Sequence, residues 1–208
     1  FKAQKQVAGK TEVDFYRKMG LQYIPPELRE NRGELEVAKQ HKIPQLVELS
    51  DIKGDLHLHT TASDGHNSIA EMASAAKKLG YEYIAITDHS QSTRVAHGLT
   101  NHDLLKHIQQ IKAAAKKIKG ITILCGSEVD ILPDGRLDYP DEILKQLDIV
   151  LVSVHSNFKM PKKEMTARVV RALANPYAQI LTHPTGRLIG EREPYEIDME
   201  EVLQAAKK

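Results

Sequence analysis

The chain has no tryptophan, only three phenylalanines, and a single cysteine, Cys125. One thiol excludes an internal disulfide framework and a cysteine-rich zinc site. An excess of one charge is also missing. Lys and Arg number 29 against 28 Asp and Glu, a formal net charge of +1. That excludes an overall basic arm or acidic tail and leaves only local patches to consider. No run approaches the roughly 18 apolar residues of a membrane helix. The longest such stretch, 149–154, has the length of a strand and contains Ser153. No signal-peptide pattern opens the chain, so a reducing, cytoplasmic setting with no membrane partner is expected. Phe1 in place of an initial Met reads as an excerpt from a longer chain. What is present suits a folded protein: 208 residues, 41% hydrophobic and 27% charged, enough for one domain and a remnant or for two small domains.

Residues 1–53 differ from the rest. Thr11, with Asp14 three residues on, predicts a short helix that Gly20 closes. Pro25 and Pro26 then argue against a regular element, and 34–42 predicts a short polar surface helix. Apolar residues here are too few to predict a core, so the stretch is expected to pack on something else. From Asp55 onward strands and helices alternate. Strands are expected over 55–59, 83–88, 121–128, 149–154 and 179–182. Helices are expected from Ser68 to Gly80, over 101–119, 141–147 and 162–174, and from the Asp198 cap to Lys208. Five such alternations predict a parallel α/β sheet or barrel, too few for a closed eight-stranded barrel.

Ten histidines are present, and their placement matters more than their number. His57 and His59 flank Leu58 in the first strand, and residues two apart on a strand share a face. His89, Glu128, His155 and His183 then follow the second to fifth strands. In parallel α/β folds, sites are built at that edge. Asp64, in Ser63-Asp64-Gly65, is ordinary turn chemistry by itself, but its position just past His59 makes it a candidate oxygen ligand. Imidazole and carboxylate without thiolate suit zinc, manganese or iron. Seven candidate ligands exceed the needs of one ion, so two or three divalent ions are expected, with Glu128 as a natural bridge. Clustered divalent ions suit phosphate-ester hydrolysis.

Taken together, Asp55-Leu56-His57-Leu58-His59, Ser63-Asp64-Gly65, Thr87-Asp88-His89, Gly126-Ser127-Glu128, Ser153-Val154-His155 and Thr182-His183-Pro184 resemble the polymerase and histidinol phosphatase (PHP) domain. The likeness runs from about Gly54 to Lys208. The stretches Ala8-Gly9-Lys10-Thr11, Tyr23 to Glu30 and Arg32-Gly33-Glu34 are similar to the end of the polymerase β-like core of bacterial and archaeal family X DNA polymerases. His183-Pro184-Thr185-Gly186-Arg187 also looks like that subfamily. The resemblance implies a tail of the polymerase core over 1–38, a linker over 39–53 and a PHP-type distorted (β/α) barrel over 54–208, incomplete at its C-terminal side. It implies that His57 and His59 hold a first ion, that Glu128 bridges to a second held by His155 and His183, and that Asp64 and His89 serve a third. The family pattern closes with an Asp-x-His pair that is absent here, which leaves the first and third ions each one ligand short.

The implied activity is metal-dependent phosphodiester hydrolysis, most specifically a 3′–5′ exonuclease processing DNA ends in repair. The alternatives are a small-molecule phosphatase of the histidinol-phosphatase type, an amidohydrolase, and a non-catalytic metal-stabilised module supporting the polymerase. Over 159–192, seven Lys and Arg stand against two Glu, a net of +5 that suits a phosphodiester backbone. Arg187 is the first phosphate-contact candidate and Arg168 the second. His41, His66, His97, His102 and His107 are expected outside the site, and Cys125 is expected as a small buried hydrophobe.

Overall fold

The structure is a computed structural model and describes residues 9–207. Ala8, in the first motif, and Lys208, at the end of the last expected helix, lie outside the described residues. The chain divides into two compact units, Phe1–Asp51 and Ile52–Lys208.

In the first unit, helix α1 (Glu12–Lys18) starts at Thr11, whose side chain accepts from the Asp14 backbone N–H. Helix α2 (Glu34–Lys39) follows. Contrary to the expectation from its composition, this unit has a small core of its own. Leu21, Ile24 and Ala38 are buried together, with Tyr16, Leu28 and Ile43 packed around them. The prolines do not forbid structure either. Pro26 opens a 3₁₀ turn, Pro26–Leu28, at a position where its missing N–H has no partner to lose. The Ile43 N–H donates to Gln22 Oε1 at 2.8 Å, so the unit extends past residue 38.

The second unit carries strands β1 (Gly54–Leu58), β2 (Tyr83–Ile86), β3 (Thr122–Asp130), β4 (Ile149–Ser153) and β5 (Ile180–Leu181). They lie in the order β1-β2-β3-β4-β5, and each neighbouring pair is parallel. Between them run α3 (Ile69–Lys78), α4 (Asn101–Lys117), α5 (Asp141–Leu144) and α6 (Lys162–Leu173), and α7 (Met199–Ala206) follows. A full capping box at Ser68 and Glu71 starts α3. Thr100 and Asp198 cap α4 and α7.

β3 sets the shape. Its first part, Thr122 to Cys125, pairs with β2, and its last part, Gly126 to Asp130, pairs with β4. β4 is therefore displaced along β3 by about four residues, or ~13 Å. Such stagger makes a sheet curl, and the five strands form an open half-barrel of the PHP type. Ile84, Ile86, Val129, Val150 and Val152 are buried in the core, against Leu104, Ile108 and Ile111 of α4 and Met165 and Val169 of α6. β3 runs two residues beyond its expected end. That extension puts both Glu128 and Asp130 on the strand itself.

Candidate metal centre

All seven expected ligands meet at the C-terminal edge of this sheet. They line one cavity of about 650 Å³, together with Thr93, Arg94, Asp130, Phe158 and Arg192. Glu128 is the hub and is 1% exposed. Its two oxygens face different imidazoles. Oε2 lies 3.1 Å from His57 Nε2, 3.3 Å from His59 Nε2 and 3.2 Å from His89 Nδ1. Oε1 lies 2.7 Å from His183 Nε2 and 3.3 Å from His155 Nε2. Asp64 closes the other side, with Oδ1 3.2 Å from His59 Nδ1 and Oδ2 3.5 Å from His89 Nε2.

Three sets of donor atoms cluster closely enough to share an ion: His57, His59 and Glu128; His59, Asp64 and His89; and His89, Glu128 and His155. The fit to divalent cations rests on more than proximity. His59 Nδ1 and His89 Nδ1 are buried, and although a carboxylate oxygen stands 3.2 Å from each, neither makes an aligned hydrogen bond, which is costly for a polar nitrogen unless something else binds there. Burial alone would push the Glu128 carboxyl upward, yet the imidazoles of His155, His183, His57 and His59 outweigh it and hold the group ionised. Burial likewise pushes His89 down, so its ring is a neutral donor. For His155, burial is outweighed by Asp130 and Glu128, and its pKa rises to about 9. Several imidazoles around one carboxylate cannot all carry protons without mutual repulsion. Cations at the same places would satisfy every lone pair.

A supporting layer orients these donors, and the sequence reading did not identify it. Asp130 Oδ1 lies 2.7 Å from His155 Nδ1, and a carboxylate so placed only accepts, so Nδ1 carries the proton and Nε2 turns to Glu128. Thr93 donates to the other Asp130 oxygen at 2.6 Å. Asp88, fully buried, accepts from the Thr60 N–H and hydroxyl at 2.8 Å each, from Ser63 Oγ at 2.6 Å and from His107 Nε2 at 2.8 Å. It thereby ties the loop carrying Asp64 to the end of β2, with its pKa lowered to about 2: burial raises it, but His107, Ser63 and Thr60 prevail. In that loop a Cβ on Gly65 would collide with the His59 carbonyl, so the turn requires glycine. The available signals were spacing and adjacency. Asp130 stands two residues from Glu128 on one strand face, and Asp88 adjoins His89.

The other histidines stay outside the ligand cluster. His41, His66, His97 and His102 are exposed, while His107 is buried beneath the site as the partner of Asp88. Cys125 is buried, and its thiol is pushed up to about 12 by that burial. Arg168 does not face the cavity, contrary to the sequence expectation. It is 2% exposed and donates to the backbone carbonyls of Ile131, Leu132 and Ser156, so it braces the segment after β3 and has no face for a phosphate. Arg187 is exposed and does not line the cavity. Arg94 and Arg192 do.

The pattern described as "PHP domain" matches residues 55–208. The chain belongs to the PHP domain family. It is 48% identical to the DNA polymerase/3'-5' exonuclease PolX of Bacillus subtilis (strain 168) over 198 residues, 95% of this chain and 34% of that protein. A match of that length cannot lie within the second unit alone and takes in most of the first. Probable phosphatases from Caldanaerobacter subterraneus and Thermoanaerobacter are 36% and 38% identical over 74% of this chain, 58% and 60% of their own lengths. A solved histidinol phosphate phosphatase from Lactococcus lactis aligns with a TM-score of 0.41 at 19% identity, over 74% of this chain and 68% of that one. The chain thus spans about a third of the polymerase and somewhat under two thirds of the phosphatases. Among the described residues, no helix is long and apolar enough to cross a membrane.

Proposed function

We propose that the second unit hydrolyses phosphodiester bonds of DNA with the help of two or three divalent ions, manganese or zinc before iron. In this reading it is a 3′–5′ exonuclease that trims DNA ends in repair, within a cytoplasmic family X polymerase. The observation that carries the reading is the Glu128 carboxylate, with three imidazoles on one oxygen and two on the other. The likeness to the polymerase across both units favours DNA over a small phosphate ester, because the phosphatase matches are only about as long as the second unit.

His57, His59 and Glu128 would hold one ion, Glu128, His155 and His183 a second, and Asp64 and His89, with His59, a third. Bound there, such ions lower the pKa of a water and neutralise phosphoryl oxygens. The chain's own contribution is orientation. Asp130 keeps the His155 proton on Nδ1, so that Nε2 faces inward. Asp88 holds the Asp64 loop against β2. Arg94, at the cavity rim, offers a guanidinium to the phosphodiester. Arg187, outside the cavity, would contact the DNA backbone further along, as would Lys159 and Lys163 of the same basic sequence stretch.

The test is hydrolysis by metal-loaded protein, with end-labelled single-stranded DNA compared against histidinol phosphate. Release of mononucleotides from the 3′ end is expected. Turnover of histidinol phosphate without DNA cleavage would favour the small-molecule phosphatase. Ion binding without either turnover would favour the structural module.

A further inference from the structure

The sequence placed phosphate recognition on Arg187 and Arg168. The structure offers a better-built cation on the same loop. After His183 the chain turns through Gly186, whose φ is +59°. A Cβ there would stand 2.6 Å from the Tyr195 ring, so only glycine lets that ring pack under the turn. Tyr195 is buried and stacks on Phe158, with centroids 6.0 Å apart and planes at 12°. Phe158 in turn carries the Arg192 guanidinium over its ring, 4.3 Å from the centroid. Arg192 Nε donates to the Gly186 carbonyl at 2.8 Å. Its backbone is fixed as well: Arg192 and Leu188 exchange both N–H···O bonds at 2.9 Å.

Ring, carbonyl and backbone thus hold the guanidinium in one pose. The Nε–H is taken, which leaves the two terminal nitrogens for a ligand. Arg192 lines the cavity that also holds His183, Glu128 and His155, and among the described residues no carboxylate pairs with it. A rigid unpaired guanidinium beside a site for cations suits a bidentate phosphate.

Resting on the phosphodiesterase reading above, we infer that Arg192, mounted on Phe158 and Tyr195, binds a backbone phosphate of single-stranded DNA at this cavity, beside the phosphodiester that Arg94 faces. Arg187 has neither the stacking nor the side-chain tether. The glycine of the His183–Arg187 motif serves this mounting, since it admits Tyr195 and presents the carbonyl that Arg192 grips.

The experiment measures binding of a short fluorescein-labelled phosphorothioate oligothymidylate across a salt series, for the intact chain loaded with Mn²⁺. Arg192→Gln keeps a planar group for Phe158 and removes the charge. Affinity should fall about tenfold, and the slope of log affinity on log salt should become shallower by about 0.7, the value of one phosphate contact on a single strand. Arg192→Lys keeps the charge without the fork, so the slope should hold while affinity falls severalfold. Lys116→Gln, at the far end of α4, should change neither. An unchanged slope in Arg192→Gln overturns the inference, as does wild-type binding that does not depend on salt. Hydrolysis of unmodified DNA by the wild type is measured beside it. Binding with the expected slopes but no hydrolysis sinks the phosphodiesterase reading and leaves Arg192 as a phosphate contact.

Discussion

Glu128 and Asp130 grip the same imidazole from opposite sides: Glu128 Oε1 stands 3.3 Å from His155 Nε2, and Asp130 Oδ1 stands 2.7 Å from Nδ1. The two carboxylates are two residues apart on β3 and so share a face. One takes the position of an ion bridge and the other fixes the tautomer. Asp130→Asn keeps the shape but loses a charged acceptor for the Nδ1 proton. Metal affinity should fall by about 10–100-fold, the usual cost of losing such an orienting group. The ¹⁵N shifts of His155 should show a mixed tautomer in the variant. A wild-type tautomer with wild-type affinity would remove Asp130 from this role.

Removing the bridge should cost more than removing one ligand. Glu128→Gln preserves volume in a position that is 1% exposed. Its single carbonyl oxygen can reach an ion on one side only, and its amide N–H₂ is uncharged and has no lone pair to offer an ion on the other. Elemental analysis after loading with Mn²⁺ or Zn²⁺ should show a loss of more than one equivalent. A loss confined to one equivalent would mean that the ions bind independently of Glu128.

The ligand positions were legible because a parallel α/β pattern has one functional edge, and a histidine or glutamate after each strand needs only that rule. The parallel α/β order was legible in five alternations with caps at Ser68 and Asp198, which left sheet and barrel open, and the incomplete barrel followed from the likeness to the PHP domain. What the sequence hid depended on depth and reach. Arg168 sits in a basic stretch and reads like its neighbours. Only the packing shows that it points inward to the carbonyls of Ile131 and Ser156. His107 reads as a surface helix residue, because nothing local records that its ring meets Asp88 from 19 positions away. The core of the first unit was missed because three buried side chains, Leu21, Ile24 and Ala38, leave no periodic trace in so short a segment.

Gly65 gives a way to disturb one part of the centre alone. A methyl group there would fall on the His59 backbone carbonyl, so Gly65→Ala must push the Asp64 turn outward. Asp64 would then leave His59 and His89, while Glu128 and its other imidazoles stay in place. Titration with Mn²⁺ should show the weakest class of sites weakened by about tenfold, the size of one misplaced ligand, with the tighter classes unchanged. Equal weakening of all classes would mean that the turn and the hub do not move separately.

Asp88 should be visible in the acid stability of the ion-free protein. Its pKa is lowered to about 2 from an ordinary 3.8, so the folded state favours the ionised form. A depressed carboxylate contributes stability above its unfolded pKa and loses it as pH falls through the folded value. The contribution should therefore be complete above about pH 5 and should fade between pH 4 and 2. A shift of that size corresponds to about 2 kcal/mol for this buried group. Asp88→Asn removes the charge but not every hydrogen bond. The amide oxygen can take the place that accepts from the Thr60 N–H and Ser63. The amide N–H₂ can then donate to His107 Nε2, provided the His107 proton moves to Nδ1, where Gln110 Oε1 lies 3.3 Å away. Asp88→Ala has no such recourse and should be the less stable variant at every pH. Denaturant unfolding in chelator at several pH values should show wild type above Asp88→Asn by a nearly constant margin near neutrality, and that margin should close as pH approaches 2. A margin that stays flat down to pH 2 would mean that the Asp88 charge contributes nothing, and that the loop is held to β2 by neutral hydrogen bonds alone.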